Sequence, residues 1–468
     1  MILSKFIGDK AFYKKVMLLA VPIMIQNGIT NLVNMVDNIM VGRVGTEAMS
    51  GVAIVNQILF VVNLCIFGTV AGIGIFTAQY FGKDDNDGIR HTFRLKLLST
   101  AVIGFGAIVI LYAAGDILVE AFLHEGSEDV NLVLAFNEAK RYLSVMAMGL
   151  IPFALTQTYA STLRETEKPV IPMVSGIIAV FVNLCLNYLL IFGKLGFPQL
   201  GVQGAAIATV ISRVVECLVV VIFTHSAKKK NPFIVGAYNT LKVPVNIVKL
   251  VMPKAVPLLV NETLWSVGMA LLTRCYSLRG LAVVAASNIC STITNVFIVA
   301  LIAFGDAIAI IVGGLLGAGE IEKAKDTDTK LSAFSFMVCL GLGVVMAVTS
   351  SLYPKVYNTT DEARALAEMF IICHAVYLPL NSIIHSCYFT LRSGGKTLIT
   401  FLFDSVYMIC VVVLFTYVLA RFTNIPIVAV YALSLAIEIP KAVLGIILVK
   451  KGTWIQNLVA DSSEKEST

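Results

Sequence analysis

Two carboxylic acids, Asp37 and Glu262, stand deep inside apolar stretches, with no lysine or arginine within a helical turn of either. A bare carboxylate in hydrocarbon is costly, so at that depth it must take a proton, hold a cation or reach water. Each of these states serves ion movement, so both residues are candidates for ion coupling. Asp37 has a polar escort in Gln26, Asn27, Thr30, Asn31, Asn34 and Asn38. At 100° per residue Asn27, Asn31, Asn34 and Asn38 form one stripe, and Gln26, Thr30 and Asp37 a second beside it. Such a face is expected to line water or a binding cavity, with interhelical hydrogen bonding as the competing reading for the amides. Glu262 shares its face with Ser266, Met269 and Thr273.

Two further pairs, Arg213 with Glu216 and Glu438 with Lys441, are spaced i to i+3 and are expected to neutralise each other locally. Asp404 has no such companion. Pro22 and Pro257 each precede a polar stretch by a few residues, where a lost backbone hydrogen bond lets a helix bend, or fixes a static kink. Enzyme chemistry is not expected. His374 and His385 share a helix, but at 1.5 Å per residue they are about 16 Å apart and cannot share a metal. No G-x-x-x-x-G-K-[ST] run offers a nucleotide site, and no cofactor is expected. The nine cysteines, such as Cys65, Cys185, Cys290 and Cys410, have no disulfide or zinc spacing and read as small core residues.

The elements that must position these groups are membrane helices. Of 468 residues 58% are hydrophobic and 14% charged, and the mean hydropathy is +0.87. A soluble domain carries roughly 25% charged residues. Apolar runs fall near 15–41, 52–80, 95–121, 142–162, 170–193, 203–225, 247–272, 282–316, 331–354, 366–391, 398–420 and 425–449. Many are apolar all round, which predicts helices, not the alternating strands of a barrel. The first run is too long for the core of a cleavable signal peptide and lacks a small-residue cleavage site, so it is expected to remain as a span.

Lysine and arginine concentrate at the N-terminus, near Lys83, in Lys228–Lys230 and at Lys450 and Lys451. By the positive-inside rule both termini should face the cytoplasm of a multi-pass cell-membrane protein. The net charge of +6 is then a topology signal, and scattered basic loops make no face for nucleic acid.

The spans repeat. Ala20-Val21-Pro22 recurs as Ala255-Val256-Pro257 at an offset of 235, which also carries Gly45 onto Gly280 and Gly82 onto Gly317. Thr162-Leu163-Arg164 with Lys168 recurs as Thr390-Leu391-Arg392 with Lys396. The predicted fold is all-α and integral to the membrane: twelve helices in two six-helix, pseudo-symmetric lobes. These are an N-lobe over 1–225, a cytoplasmic linker over 226–246 with helix breakers Asn231-Pro232 and Val243-Pro244, and a C-lobe with its tail over 247–468. An even number of spans per half implies an axis along the membrane normal.

In Met35-Val36-Asp37-Asn38-Ile39 followed by Val41-Gly42-Arg43-Val44-Gly45, in Gly201-Val202-Gln203-Gly204-Ala205-Ala206-Ile207-Ala208-Thr209, in Leu316-Gly317-Ala318-Gly319-Glu320 and in Leu391-Arg392-Ser393-Gly394-Gly395, the chain resembles the multidrug and toxic compound extrusion (MATE) family of antiporters. The likeness covers almost the whole chain. It implies a secondary exporter working by alternating access, in exchange for protons or sodium ions, with Asp37 as the chief coupling residue and Asn183, Asn187 and Thr209 as its partners. Asn187 stands where well-known members carry a second aspartate. A transient sodium ion at Asp37, Asn183, Asn187 and Thr209 would therefore rest on one charge, and proton coupling is favoured. In the second lobe Glu262 matches an acid used by one branch, Asn381 takes the place of its partner aspartate, and His385 lies one turn on. Gln26, Asn27, Asn34, Asn183, Asn187, Thr209, Asn381 and His385 are the expected cation or substrate cavity. Expected partners are small organic substrates, cationic or amphipathic, and membrane lipid, with the chain a monomer. A lipid or lipid-linked oligosaccharide flippase of the same superfamily is the alternative, although its strongly cationic cavity contrasts with the acidic deep charges here.

Overall fold

The computed structural model describes residues 6–122, 132–357 and 359–460, and only the backbone of Asn34, Met35 and Thr46. Among them there is no β-strand. The helices are α1 (Lys10–Gly42), α2 (Thr46–Gly82), α3 (Asn86–Phe122), α4 (Leu132–Met148), α5 (Leu150–Glu165), α6 (Val170–Phe192), α7 (Gly201–Ser226), α8 (Val245–Ser277), α9 (Leu281–Gly317), α10 (Ile321–Val348), α11 (Asp361–Ser393), α12 (Thr397–Phe422) and α13 (Ile427–Lys450). Eleven of these are long and apolar enough to cross a bilayer, and α4 with α5 supplies a twelfth crossing as one span bent by 45°. The protein is a multi-pass helical membrane protein.

The span read as an apolar run near 142–162 is longer and bent. Pro152 lacks the N–H that would bond back to the carbonyl of Met148, and Gly149 sits at the break. The helical stretch starts earlier, at Leu132, so Lys140 and Arg141 lie inside α4 and not in an outer loop; Lys140 pairs with Asp116 of α3 at 2.7 Å. Pro22 lies within α1, and Pro253 and Pro257 within α8, without ending either helix. Cys185 and Cys410 are exposed, and so are not the core residues expected of every cysteine.

The helices gather into two compact units. The first comprises 25–77 and the described residues of 86–252; the second takes α1 as far as Met24, Ala78–Asp85 at the end of α2, and the described chain from Pro253 onward. This division differs from the partition expected at 1–225, 226–246 and 247–468, for two physical reasons. The segment expected as a linker is docked: Arg94 of α3 donates to the carbonyls of Ala237 and Gly236 at 2.8 and 2.7 Å, and the buried Asn231 amide donates to Thr224 O at 3.2 Å. The end of α2, in turn, is stitched to the second unit. Gln79, fully buried, donates to Ser393 O at 3.0 Å and Gln456 O at 3.2 Å and accepts from Leu458 N at 2.7 Å.

Within the first unit the core runs through Val55, Leu111, Leu150, Ile191 and Ala206. In the second it includes Phe370 and Tyr431, whose rings stack at 4.2 Å.

Candidate functional site

In the first unit, α6 carries Asn183 and Asn187 one turn apart, so both amides lie on one face. The chain reverses after α6 through Gly193, whose φ of +64° suits glycine. At Gly204 a Cβ would stand 2.6 Å from Leu190 O, so this glycine lets α7 close against α6. That approach brings Thr209 to Asn183, whose amide nitrogen lies 3.3 Å from the threonine hydroxyl. Across from them α1 presents Asp37. Asn187 Nδ2 donates to Asp37 Oδ1 at 2.6 Å and reaches Asn183 Oδ1 at 3.1 Å. With its amide turned over, Asn183 donates to Asp37 Oδ1 at 3.0 Å.

Asp37, Asn183, Asn187 and Thr209 thus meet in one cluster with a single carboxylate. Both asparagines are almost wholly buried. Gln26 lies against α6, its Cγ 3.6 Å from where a Cβ on Gly176 would stand, and Asn27 is half-buried further along α1. The side chain of Asn34 lies outside the described atoms. Arg213 and Glu216 act on each other electrostatically, as their spacing predicts, but they do not close to salt-bridge distance among the described ion pairs. The Arg213 guanidinium instead lies over the Phe153 ring, 5.0 Å from its centroid, because the break between α4 and α5 carries that ring beside α7.

The second unit holds Glu262 in α8. Its carboxylate accepts from the Tyr388 hydroxyl at 3.4 Å, and that hydroxyl also accepts from Asn261 at 3.2 Å. Asn381 and His385, both on α11, bond to each other at 3.1 Å through Oδ1 and Nδ1. The described hydrogen bonds therefore tie Glu262 to Tyr388, two turns beyond Asn381, and not to Asn381 itself.

Sequence reasoning missed the rest of this network. Asn261 Nδ2 donates to Asp404 Oδ2 at 3.1 Å, and Lys441 Nζ reaches Asp404 Oδ1 at 3.1 Å while standing 3.8 Å from Glu438. Asp404 is therefore not alone, and Lys441 serves two carboxylates where the i to i+3 spacing predicted one. Asn261 also accepts from Ser405 N and Ser405 Oγ, at 3.3 and 2.7 Å. This inserted amide coincides with a π-helical stretch of α12 at Leu402–Val406, followed by another at Met408–Val413. Such bulges form where a side chain enters a helix ladder and are frequent at functional sites. One signal was available: the 235-residue offset carries Gln26 onto Asn261.

The family model MatE matches this chain twice, over 22–189 and 257–418. The chain belongs to the MatE family. The two matches begin at Pro22 and Pro257, the same 235 residues apart as the repeat seen in the sequence. MatE relatives include NorM of Thermotoga maritima, 24% identical over 392 residues that cover 82% of this chain and 81% of that protein. The multidrug resistance protein NorM of Photobacterium profundum is 26% identical over 371 residues, 78% of each chain. Among solved folds, a crystal structure of MATE in complex with MaD3S matches with a TM-score of 0.84 at 19% identity, over 96% of this chain and 97% of that one.

Proposed function

We propose that this MatE protein exports small organic molecules, cationic or amphipathic, across the cell membrane in exchange for protons, with Asp37 as the coupling carboxylate and Glu262 as an auxiliary one. Multidrug resistance relatives support the substrate class. The observation that carries the coupling is the Asp37 cluster: one carboxylate, held by the Asn187 amide at 2.6 Å, with Asn183 and Thr209 completing its surround. A hard cation such as sodium prefers several oxygen ligands and more than one negative charge. A proton needs one carboxylate, and neutralising it removes the cost of moving a charge through a low-dielectric interior. Exchange then follows if proton and substrate compete for the site and the protein alternates between faces as each leaves.

Gln26, Asn27, Asn34, Asn183, Asn187, Thr209, Asn381 and His385 would supply polar contacts for substrate, and Pro22 and Pro257 the points where α1 and α8 adjust. The test is transport in proteoliposomes under imposed gradients. Asp37→Asn should abolish proton-driven export and leave substrate binding measurable, and Glu262→Gln should reduce export partially. Export driven by sodium at fixed pH, without response to a proton gradient, would overturn the coupling ion; unchanged export by Asp37→Asn would overturn the site.

A further inference from the structure

The ammonium of Lys441 is surrounded as a bound cation would be. Asp404 of α12 approaches it at 3.1 Å and Glu438 of α13 at 3.8 Å. The rings of Phe403 and Tyr407 lie 5.4 and 5.8 Å from Nζ, within the range at which ring faces attract cations. The lysine side chain is only 5% exposed, against 21% for Asp404 and 14% for Glu438. Both carboxylates have further donors: Tyr377 of α11 donates to Glu438 at 2.8 Å, and Asn261 of α8 donates to Asp404 at 3.1 Å. Through Asn261 and Tyr388 the cluster reaches Glu262, and His385 of α11 also feels its field.

A surface lysine extends into water and gains little from an ion pair. This one is buried between two carboxylates and two rings drawn from two helices, which is the inventory of a monovalent cation site. We infer that Lys441 is a tethered cation: its ammonium permanently fills a site in the second unit that would otherwise take a free monovalent cation. The two carboxylates are thereby withheld from cation exchange, while Glu262 stays outside the pair that Lys441 neutralises. Lys441 is accordingly a specificity-determining residue, fixing which ions the protein responds to without touching the Asp37 cluster.

The inference rests on the exporter reading only for its meaning in transport. Its test is a cation-binding measurement on the full-length purified chain, so failure of one and failure of the other are distinguishable. Thermal stability is recorded for wild type and Lys441→Met across a sodium chloride series, with ionic strength held by choline chloride. Lys441→Met should be stabilised by sodium with at least ten-fold higher apparent affinity than any response of the wild type, and adding Asp404→Asn should remove the gain. Ethylammonium chloride, which resembles the missing side-chain end, should substitute for sodium.

A folded Lys441→Met whose sodium and ethylammonium responses match wild type overturns the inference. If Lys441→Met does not fold, Glu438→Gln with Lys441→Met keeps the cluster's net charge at its wild-type value and must show the response instead; if it does not, the inference fails. The charge-free combination of Asp404→Asn, Glu438→Gln and Lys441→Met reports on packing. If it folds without any cation while the double variant cannot be recovered in sodium or ethylammonium, or if it does not fold at all, Lys441 is a structural residue and the inference is overturned.

Discussion

Asn187 and an aspartate share one shape, and the difference between them is a single amide nitrogen that lies 2.6 Å from Asp37 Oδ1. As an amide it donates to the carboxylate; as a carboxylate it would repel it unless a cation or proton lay between. Asn187→Asp is therefore expected to acquire sodium-dependent thermal stabilisation beyond that of the wild type, measured against choline chloride. An unchanged response would mean that the pocket cannot seat the ion. Asn187→Leu removes the donor, and a hydrogen bond to a charged group contributes about 1.5–3 kcal/mol. Its cost should shrink in the Asp37→Asn background, which a double-mutant cycle on unfolding would measure. The Asp37 cluster was legible through resemblance: Asp37 stands in a motif shared with the MATE family, and the family's partner positions fall on Asn183, Asn187 and Thr209. The partnership of Asp404 and Lys441 was not. The two are 37 residues apart in sequence, and Glu438, at the favourable i to i+3 spacing, supplied a plausible local partner that hid the closer tertiary one.

At the scale of elements, the repeat is a contact as well as a pattern. A Cβ on Gly82 would stand 1.8 Å from Gly314 O, and one on Gly317 would stand 1.9 Å from Gln79 O. Shifting the second contact by 235 residues gives the first, so α2 and α9 cross at their ends as two copies of one helix. Gly82→Ala and Gly317→Ala should each destabilise the protein by about 1–3 kcal/mol or more, because the obstruction is backbone and cannot rotate away. Gly341 in α10 has nothing within 4 Å of its missing Cβ. There alanine should be neutral or stabilising, since an interior helical glycine costs roughly 0.5–1 kcal/mol relative to alanine. Equal losses of thermal stability for all three variants would show that the α2–α9 crossing is not tight. These glycines were visible in the sequence, but their mutual contact was not, because composition does not say which helix ends meet. The same limit applies to the π-helical stretch of α12, which coincides with the Asn261 side chain reaching in from another helix.

For the whole molecule, charge gives the orientation we expect in the membrane. The turns near Lys83 and Lys168, the docked segment from Lys228 to Lys242, and the end of α13 at Lys450 and Lys451 all carry lysine or arginine, and with twelve crossings they fall on one side. The intervening turn between α6 and α7 carries a single lysine, Lys194. Cytoplasmic loops collect such residues because the insertion machinery and the membrane potential resist moving them outward. The segment is also held to α3, where Arg94 donates its guanidinium to the carbonyls of Gly236 and Ala237. Two exposed positions separate the alternatives: Leu195, 88% exposed in the α6–α7 turn, and Ser226 at the end of α7. In a background freed of the nine native cysteines, a cysteine at Leu195 should react with an impermeant maleimide on intact cells, and one at Ser226 only after the membrane is opened. The opposite pattern would invert the protein and the direction of transport proposed for it. Labelling of both from outside would break the α7 crossing, and with it the twelve-span arrangement.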